Sequence, residues 1–314
     1  MTTLPVPTVP AREAFSGTAQ PLWPRSLLSA SAVALMAMWL LAGCQSMPSD
    51  PSAPSRLIEG VVWQLDNNTI DARGNWQDIG AKRLLLQWLS VDGVSFLPDA
   101  GQPTAPRLPD WQRIAGEPWA REVILGLAGR FDEASARADV VNLIAQSERL
   151  AKLPMPMNVV GWYFPVEIDS SWNEAKTLGP LLSRLPRPLW ISVYDRANIG
   201  AEPLARWLDT WLPADVAVFF QDGVGVHART APVARQYVEA LSRQLGARRV
   251  SVIAEAFRPR PEGGFRSATF EEISLQLQTY RGLPVYLFDG PHYVSNTLVK
   301  ELQAQRARSP SSLP

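Results

Sequence analysis

Eight short apolar segments recur along the chain, and they constrain its fold more than any other feature of the sequence. They are rich in Val, Ile, Leu and Phe and show little polar–apolar alternation, which is typical of parallel strands buried on both faces. Stretches with the apolar spacing of amphipathic helices separate them. Eight strand–helix units in about 250 residues predict a single (β/α)8 TIM barrel of the α/β class. The apolar segments are residues 57–65, 83–91, 122–127, 158–167, 189–194, 216–221, 250–255 and 285–289.

The connections between the predicted elements differ in length on the two sides of this barrel. Segments that lead from a helix back to a strand are short, as at 213–215, whereas those that leave a strand are longer and polar, as at 92–109. A barrel carries its active site on the face that the longer loops build. An open doubly wound sheet is the alternative, but it requires neither eight units nor this asymmetry. The predicted helices cover residues 133–152, 172–184, 203–212, 231–245 and 270–279.

Carboxylates end almost every predicted strand, whereas the bodies of the strands contain almost none. Burying a carboxylate in a barrel core costs several kcal/mol, so an acidic residue is expected at the mouth, where it stays solvated or serves chemistry. Two glutamates stand out, because Glu167 closes the fourth strand and Glu255 closes the seventh. Strand alternation places Glu255 on the same face as Ile253, which we expect to point inward.

Two glutamates at the mouth of a barrel suit the hydrolysis of a glycosidic bond. Hydrolysis with retention uses two carboxyl groups about 5–5.5 Å apart, and one of them must hold its proton at neutral pH. Residues 162–165, which make up the approach to Glu167, are apolar, and an apolar environment raises the pKa of a carboxyl group. The alternative is that each glutamate forms a structural ion pair, for instance with Arg196 or Arg258.

This arrangement resembles that of the clan A retaining glycoside hydrolases, which carry glutamates at the ends of strands four and seven. The resemblance implies that Glu167 is the acid/base and that Glu255 is the nucleophile. In that clan an asparagine precedes the strand-four glutamate, whereas Val166 holds that place here.

Three stretches also resemble a family of uncharacterised bacterial (β/α)8 proteins that are grouped with the glycoside hydrolases. They are GWYFPVEID at 161–169, QDGVGV at 221–226 and AEAF at 254–257. The resemblance spans most of residues 57–289, and it implies a TIM barrel that acts on carbohydrate.

Further residues near the strand ends are candidates for substrate contact. Aromatic rings stack on the apolar faces of sugars, and polar side chains bind hydroxyl groups. Structural roles are the alternative for each of them. Asp222 and Asp289 would then cap the following helix or turn, His292 would be a hydrogen-bonded loop residue, and the aromatic residues would belong to the core. The candidates are Trp88, Tyr163, Tyr194, Gln221, Asp222, Asp289 and His292.

The glycine-rich segment 223–228 follows a strand and precedes a helix, so it loosely matches the dinucleotide-binding fingerprint. That fingerprint belongs to the first βαβ unit and is followed about 20 residues later by an acidic residue. Here the segment lies in the sixth unit, and Arg243 stands at the corresponding place. We therefore interpret it as a tight turn over the barrel mouth.

Composition argues against several classes of function. Thirty basic and thirty acidic residues cancel, and the absence of a basic run argues against a nucleic-acid groove. One cysteine excludes a disulfide framework and a Cys-based zinc site, and the two histidines, His227 and His292, lie far apart. We expect no metal, no cofactor and no nucleic-acid partner; the oligomeric state is not indicated.

The only cysteine, Cys44, ends an uncharged apolar segment that begins after Arg25. This order is that of a secretory signal, and Leu41-Ala42-Gly43-Cys44 resembles the bacterial lipobox, in which the cysteine becomes the lipidated first residue. Gln45 follows, and by resemblance to bacterial sorting a residue other than Asp there favours the outer membrane. The alternative is an uncleaved membrane helix, although eighteen residues reach only about 27 Å.

The predicted organisation is a signal peptide over 1–43, a lipidated cysteine and tether over 44–56, a barrel over 57–305 and a disordered tail over 306–314.

These features together predict a lipid-anchored retaining glycoside hydrolase that faces the periplasm and acts on a polysaccharide or glycan. The alternative is a non-catalytic glycan-binding or exopolysaccharide-assembly lipoprotein on the same scaffold, because a barrel can lose its chemistry. A lyase or transglycosylase also stays open.

Overall fold

Eight parallel strands close into a barrel in the computed structural model, which describes residues 58–308. Each strand pairs with the next one along the chain, and the eighth pairs with the first, with Gly60 opposite Tyr286. The predicted (β/α)8 barrel is confirmed. The strands are β1 (Gly60–Trp63), β2 (Arg83–Leu86), β3 (Glu122–Gly126), β4 (Val159–Ile168), β5 (Leu189–Val193), β6 (Val216–Gln221), β7 (Val250–Glu255) and β8 (Val285–Phe288).

Helices and short 3-10 turns connect the strands and bury their apolar faces against the outside of the barrel. The helices are α1 (Trp111–Ala115), α2 (Glu133–Ala138), α3 (Val140–Leu150), α4 (Leu178–Leu182), α5 (Ala201–Asp209), α6 (Ala231–Leu245), α7 (Phe270–Thr279), α8 (Gly290–Tyr293) and α9 (Asn296–Arg308). The 3-10 turns are Trp76–Ile79, Pro118–Ala120, Ala175–Thr177 and Ala247–Arg249.

Two small sheets extend the loops that follow barrel strands. The first has three strands, Ser90–Val91, Val94–Ser95 and Ala128–Gly129, and lies after β2 and β3. The second is a hairpin after β7, in which Phe257–Pro259 pairs antiparallel with Phe265–Ser267. Both belong to the strand-to-helix loops, the side of a barrel on which functional sites are built.

The inside of the barrel is filled by side chains from alternate positions of its strands. These side chains form one apolar cluster, so the interior is a packed core rather than a channel. Its buried members are Val62, Leu85, Ile124, Tyr163, Phe219, Ile253 and Tyr286.

The helical boundaries differ from the predicted ones in three places. The helix predicted over 203–212 begins and ends earlier, at Ala201 and Asp209. The helix predicted over 133–152 is interrupted at Asp139, whose side chain accepts hydrogen bonds from Arg130 and Asn142. The helix predicted over 172–184 is reduced to the 3-10 turn at Ala175–Thr177 and the five residues of α4. Asp, Ser and Asn residues that hydrogen-bond locally compete with helix formation.

Several predictions lie outside the described residues: the signal peptide over 1–43, lipidation at Cys44, the whole tether over 44–56, and Leu57, the first residue of the predicted barrel. The tail predicted over 306–314 is helical as far as Arg308, where α9 ends, and the rest of it is not described. Within residues 58–308, no helix combines the length and the apolar character that a membrane span requires.

Candidate active site

The two glutamates predicted at the strand ends line one cavity of about 260 Å³ at the carboxyl end of the barrel. Its floor is formed by members of the interior cluster, among them Tyr163 and Ile253. The full lining is Val62, Gln64, Leu85, Gln87, Trp88, Arg130, Phe131, Glu133, Tyr163, Glu167, Gln221, Val226, Ile253, Glu255, Phe257, Phe265 and Phe288. We call this space the carboxyl cavity.

Glu167 reaches this cavity from an irregular part of β4. Phe164 pairs with Ile191 of β5, but the next pair joins Glu167 to Ser192, so Pro165 and Val166 form a bulge. Proline has no N–H to donate to the ladder, and bulges commonly occur beside active sites because they redirect side chains.

Three neighbouring side chains hold Glu167 in place. Arg137 donates to its carbonyl oxygen at 3.0 Å. The backbone N–H of Glu167 donates to Oε2 of Glu133 at 3.0 Å. The side-chain N–H of Gln221, at the end of β6, donates to Oε1 of Glu167 at 2.9 Å. Gln221 therefore lies where the sequence predicted a substrate contact, and it also orients one of the glutamates.

Glu255 is almost completely buried, with 6% of its surface exposed. Its Oε2 accepts the backbone N–H groups of Gly225 at 2.7 Å and Val226 at 3.2 Å. These amides belong to the glycine-rich segment after β6, so the segment is a turn that binds a carboxylate of the protein itself. The interpretation as a tight turn, rather than as a dinucleotide site, agrees with this contact.

Gly225 cannot be replaced in this turn without displacing the carboxyl group. A Cβ at this position would lie 2.7 Å from Cβ of Glu255 and 2.8 Å from its Oε2. Contacts this short are sterically prohibitive, so the close approach of backbone and carboxylate requires glycine.

The environment of Glu255 favours its protonated form. Burial, and next the charge of Asp222, raise the pKa of Glu255 to about 8, against the opposing effect of the two N–H groups. The charge of Glu167 adds to the increase. Because Oε2 already accepts two N–H bonds, a proton on this carboxyl group belongs on Oε1.

Neither glutamate forms a salt bridge with another residue in the part of the chain that the structure describes. Arg258 donates to the carbonyl oxygen of Glu255 at 3.0 Å and to Oε1 of Gln276 at 2.8 Å, but not to a glutamate carboxylate. The ion pairs considered from the sequence are therefore not formed.

Asp222 lies beneath the cavity rather than in its lining, so the predicted substrate contact is replaced by a structural one. It is fully buried, and burial raises its pKa to about 6. Its carboxylate accepts the N–H groups of Val224 at 3.1 Å and Glu255 at 3.2 Å and the hydroxyl of Tyr280 at 2.9 Å. Gln276 also donates to it. Asp222 thus joins the turn after β6 to the end of β7.

Asp289 has the same kind of position at the end of β8. It is fully buried and caps α8 by accepting the N–H of His292 at 2.8 Å, while its Oδ2 accepts the N–H of Gln64 at 2.7 Å. The capping role left open by the sequence is the one observed. His292 Nδ1 lies 2.9 Å from Asp289 Oδ2, and this hydrogen bond raises the pKa of His292.

His292 lines a second, larger cavity of about 510 Å³ that adjoins the carboxyl cavity. The two cavities share Gln64, Trp88 and Phe131. The full lining of the second is Gln64, Leu65, Asp66, Asn67, Trp88, Val91, Asp92, Val94, Phe96, Pro106, Phe131, His292 and Tyr293. We call it the side cavity.

The three predicted aromatic contacts have different positions. Trp88 forms the wall between the two cavities, with its Nε1 donating to the carbonyl of Leu65 at 2.8 Å. Tyr163 lies in the floor of the carboxyl cavity and is 4% exposed. Tyr194 lines neither cavity, because its ring packs under the guanidinium of Arg229, whose Cζ lies 4.9 Å from the ring centroid.

Among the residues of the carboxyl cavity that sequence reasoning missed, three stand out. Glu133 starts α2, and burial, followed by the charge of Glu167, raises its pKa to about 8. Phe131 and Phe265, which are 72% and 43% exposed, stand at the rim. All three lie in or next to loops, where no strand pattern marks a side chain as facing the barrel mouth. An aromatic residue in a polar loop was the available signal for Phe131.

No cluster of His, Cys, Asp and Glu suited to a metal ion occurs within residues 58–308.

No family model matches the chain, and no curated protein matches it. The resemblance to the family of uncharacterised (β/α)8 proteins is therefore not supported by a family match.

Solved structures match the chain along most of its length, at low identity. A candidate alpha-L-fucosidase from Bacteroides thetaiotaomicron matches with a TM-score of 0.49 and 15% identity, over 83% of this chain and 98% of its own. The PgaB (BpsB) glycoside hydrolase domain from Bordetella bronchiseptica matches with a TM-score of 0.48 and 15% identity, over 79% and 98%. A chitinase from Chromobacterium violaceum matches with a TM-score of 0.44 and 13% identity, over 79% and 99%. This chain is similar to these structures, among others.

Proposed function

We propose that this protein hydrolyses glycosidic bonds in a glycan, with Glu167 and Glu255 as its catalytic carboxyl groups. One observation carries the proposal: two glutamates from different strands face one cavity and have unequal environments. Pairs of carboxyl groups that differ in this way divide the roles of acid and base between them.

The electrostatics favour an assignment of roles opposite to the one that the clan A resemblance implies. Glu255 holds a proton because it is buried beside Asp222 and Glu167. It would donate that proton from Oε1 to the leaving oxygen, while the carboxylate of Glu167 attacks the anomeric carbon. Deprotonated Glu255 would then activate the water that releases the sugar from Glu167.

Exposed aromatic rings at the rim support a carbohydrate ligand. Phe131 and Phe265 lie in loops of two different barrel strands, and exposed aromatic residues around a cavity mark a binding site. Such rings provide flat apolar surface for the faces of sugar rings, while the carboxylates and Gln221 provide acceptors and a donor for hydroxyl groups.

The first experiment measures the release of reducing sugar from a panel of polysaccharides by the full chain. Glu255→Gln is expected to lower turnover by about 10²–10⁴-fold, the usual contribution of a general acid. Glu271→Gln, an exposed position on α7, is the matched control and should behave like the wild type. Loss of activity in both variants, or in neither, would overturn the role of Glu255. Binding of one polymer without release would favour the glycan-binding alternative.

Azide rescue then assigns the roles. In a retaining enzyme, the variant without its nucleophile forms a glycosyl azide of inverted configuration, and the variant without its acid/base forms one of retained configuration. We expect inversion with Glu167→Ala and retention with Glu255→Ala, both read by NMR. The opposite result would restore the roles that the resemblance implies.

We also propose that the protein is attached to the bacterial cell envelope by lipid at Cys44 and faces the periplasm. The lipobox-like sequence and Gln45 support this proposal. Radiolabelled palmitate should label the wild type but not Cys44→Ser, and the label should fractionate with the outer membrane. An equally labelled variant would refute the anchor.

A further inference from the structure

The proposed chemistry leaves the side cavity without a role. Its volume of about 510 Å³ lies within the range of small-molecule sites. It opens beside the carboxyl cavity, and the two share the wall formed by Trp88 and Phe131 together with Gln64. A chain bound across the glutamates and extending past Phe131 would therefore enter the side cavity next.

The lining of the side cavity combines apolar faces with hydrogen-bonding groups. Val94, Phe96 and Tyr293 provide apolar surface, and Asp66 and Asn67 provide polar atoms. Concave sites of this composition bind small organic molecules through a few convergent polar groups. Polyhydroxylated sugar rings have both an apolar face and a hydroxyl edge, which this lining complements.

The charges of the lining distinguish between kinds of sugar. Asp66 is held ionised by its hydrogen bonds to Thr69 and by the charge of His292, although burial acts in the opposite direction, and its pKa is lowered overall. Asp92 forms no salt bridge among residues 58–308 and is exposed. The two ring nitrogens of His292 contact the carboxylates of Asp289 and Asp66, so its positive charge is already paired with carboxylates of the protein. An anionic sugar would meet two carboxylates, and the lining formed by residues 58–308 contains no cationic group besides His292. Hydroxyl groups of a neutral sugar would instead donate to the carboxylates.

We infer that the side cavity is a second sugar-binding subsite, which takes an uncharged unit of the same glycan and excludes uronic acids. The inference rests on the proposed function for the identity of the chain as a glycan. It adds that the protein acts on oligosaccharides rather than on single terminal sugars, because a unit bound in the side cavity improves the binding of its neighbour over the glutamates.

The test is a binding measurement on the full-length Glu255→Gln protein, which is fluorescently labelled and is expected to hydrolyse glycans much more slowly than the wild type. The probe is an array of neutral and uronic-acid oligosaccharides, each in a size series. We expect binding to neutral members only, with affinity rising with length. Asn67→Trp, which places a large side chain in the side cavity, should weaken the binding of the longer oligosaccharides at least tenfold. Asn173→Trp changes an exposed asparagine that does not line the cavity, and this variant should retain the binding.

Each outcome separates this inference from the proposed function. Binding that is unaffected by Asn67→Trp, or uronic acids bound as well as neutral sugars, would overturn the subsite while leaving the glutamate pair intact. Binding that depends on residue 67, without hydrolysis by the wild type, would overturn the hydrolase and leave the subsite. The absence of binding to every glycan on the array would overturn the subsite.

Discussion

The carboxylate of Glu255 is held by the backbone N–H of Gly225, at 2.7 Å, so the position of the proposed acid depends on the course of the main chain after β6. The side chains of that turn contribute little to this contact. The position of this turn that is most sensitive to substitution is therefore Gly225, not one with a polar side chain.

Gly225→Ala should abolish turnover and destabilise the fold by roughly 1–3 kcal/mol, the usual cost of overpacking. The added methyl would lie 2.8 Å from Oε2 of Glu255 and would displace that carboxyl group. Urea denaturation and reducing-sugar release check the two effects. Val224→Ala, in the same turn, is the control and should keep most of the activity. An active Gly225→Ala protein of normal stability would show that Glu255 does not need this contact.

The free energy of unfolding should decrease as the pH rises, and part of this decrease should come from Glu255. Its pKa is about 8 in the folded protein and about 4.5 in the unfolded chain, so the folded state binds the extra proton between these values. The resulting stabilisation is complete below pH 4.5 and is lost as the pH rises through 8. Urea denaturation from pH 5 to pH 9 should show a steeper decrease for the wild type than for Glu255→Gln. Equal slopes would mean that Glu255 titrates near its ordinary pKa.

Asp222→Ala should destabilise the protein by roughly 1–3 kcal/mol, because Tyr280 and Gln276 would then have buried donors without an acceptor. It should also lower the pKa of Glu255 and shift the alkaline limb of the pH–rate profile downward, since the Asp222 charge disfavours ionisation of its neighbour. Asp209→Ala, at an exposed position, should change stability by less than about 0.5 kcal/mol. An unshifted pH profile would count against the coupling of the two carboxyl groups.

Phe131→Ala should weaken substrate binding about tenfold, equivalent to about 1.4 kcal/mol, without loss of stability. The ring is 72% exposed at the rim, so little core packing is removed. The KM and the thermal midpoint measure the two effects. Leu275→Ala, at a 67% exposed position on α7, is the control for the removal of exposed apolar surface. A fall in KM or an unchanged value would contradict a stacking role.

The barrel was predictable because its strands are buried on both faces, which leaves unbroken apolar runs in the sequence. β6 and β7 have the predicted bounds, residues 216–221 and 250–255. The helices were less predictable where polar side chains bond locally, as at Asp139. The strand-end positions of Glu167 and Glu255 correctly predicted that both side chains reach the mouth of the barrel, where they line one cavity.

The roles of the other acidic residues depend on loop conformation. Loops have no regular apolar spacing from which the direction of a side chain could be predicted. Asp222 and Asp289 turn back to bind main-chain N–H groups, and only the three-dimensional path of their loops distinguishes this from substrate contact. Glu133 looked like an ordinary acidic residue in the first turn of a helix, a position favoured by the helix dipole. Its place beside Glu167 comes from the packing of α2 against β4.

The hydrogen bond from Trp88 Nε1 to the carbonyl of Leu65 has a thermodynamic consequence for any ligand. The indole is 3% exposed and fixed to the main chain, so the part of the wall that Trp88 forms has its shape before a ligand arrives. Such preorganisation removes the entropy loss that ordering a wall would require. The indole side of the wall is thus set in the apo protein, whereas the exposed ring of Phe131, which completes the wall, can adjust to a bound ligand.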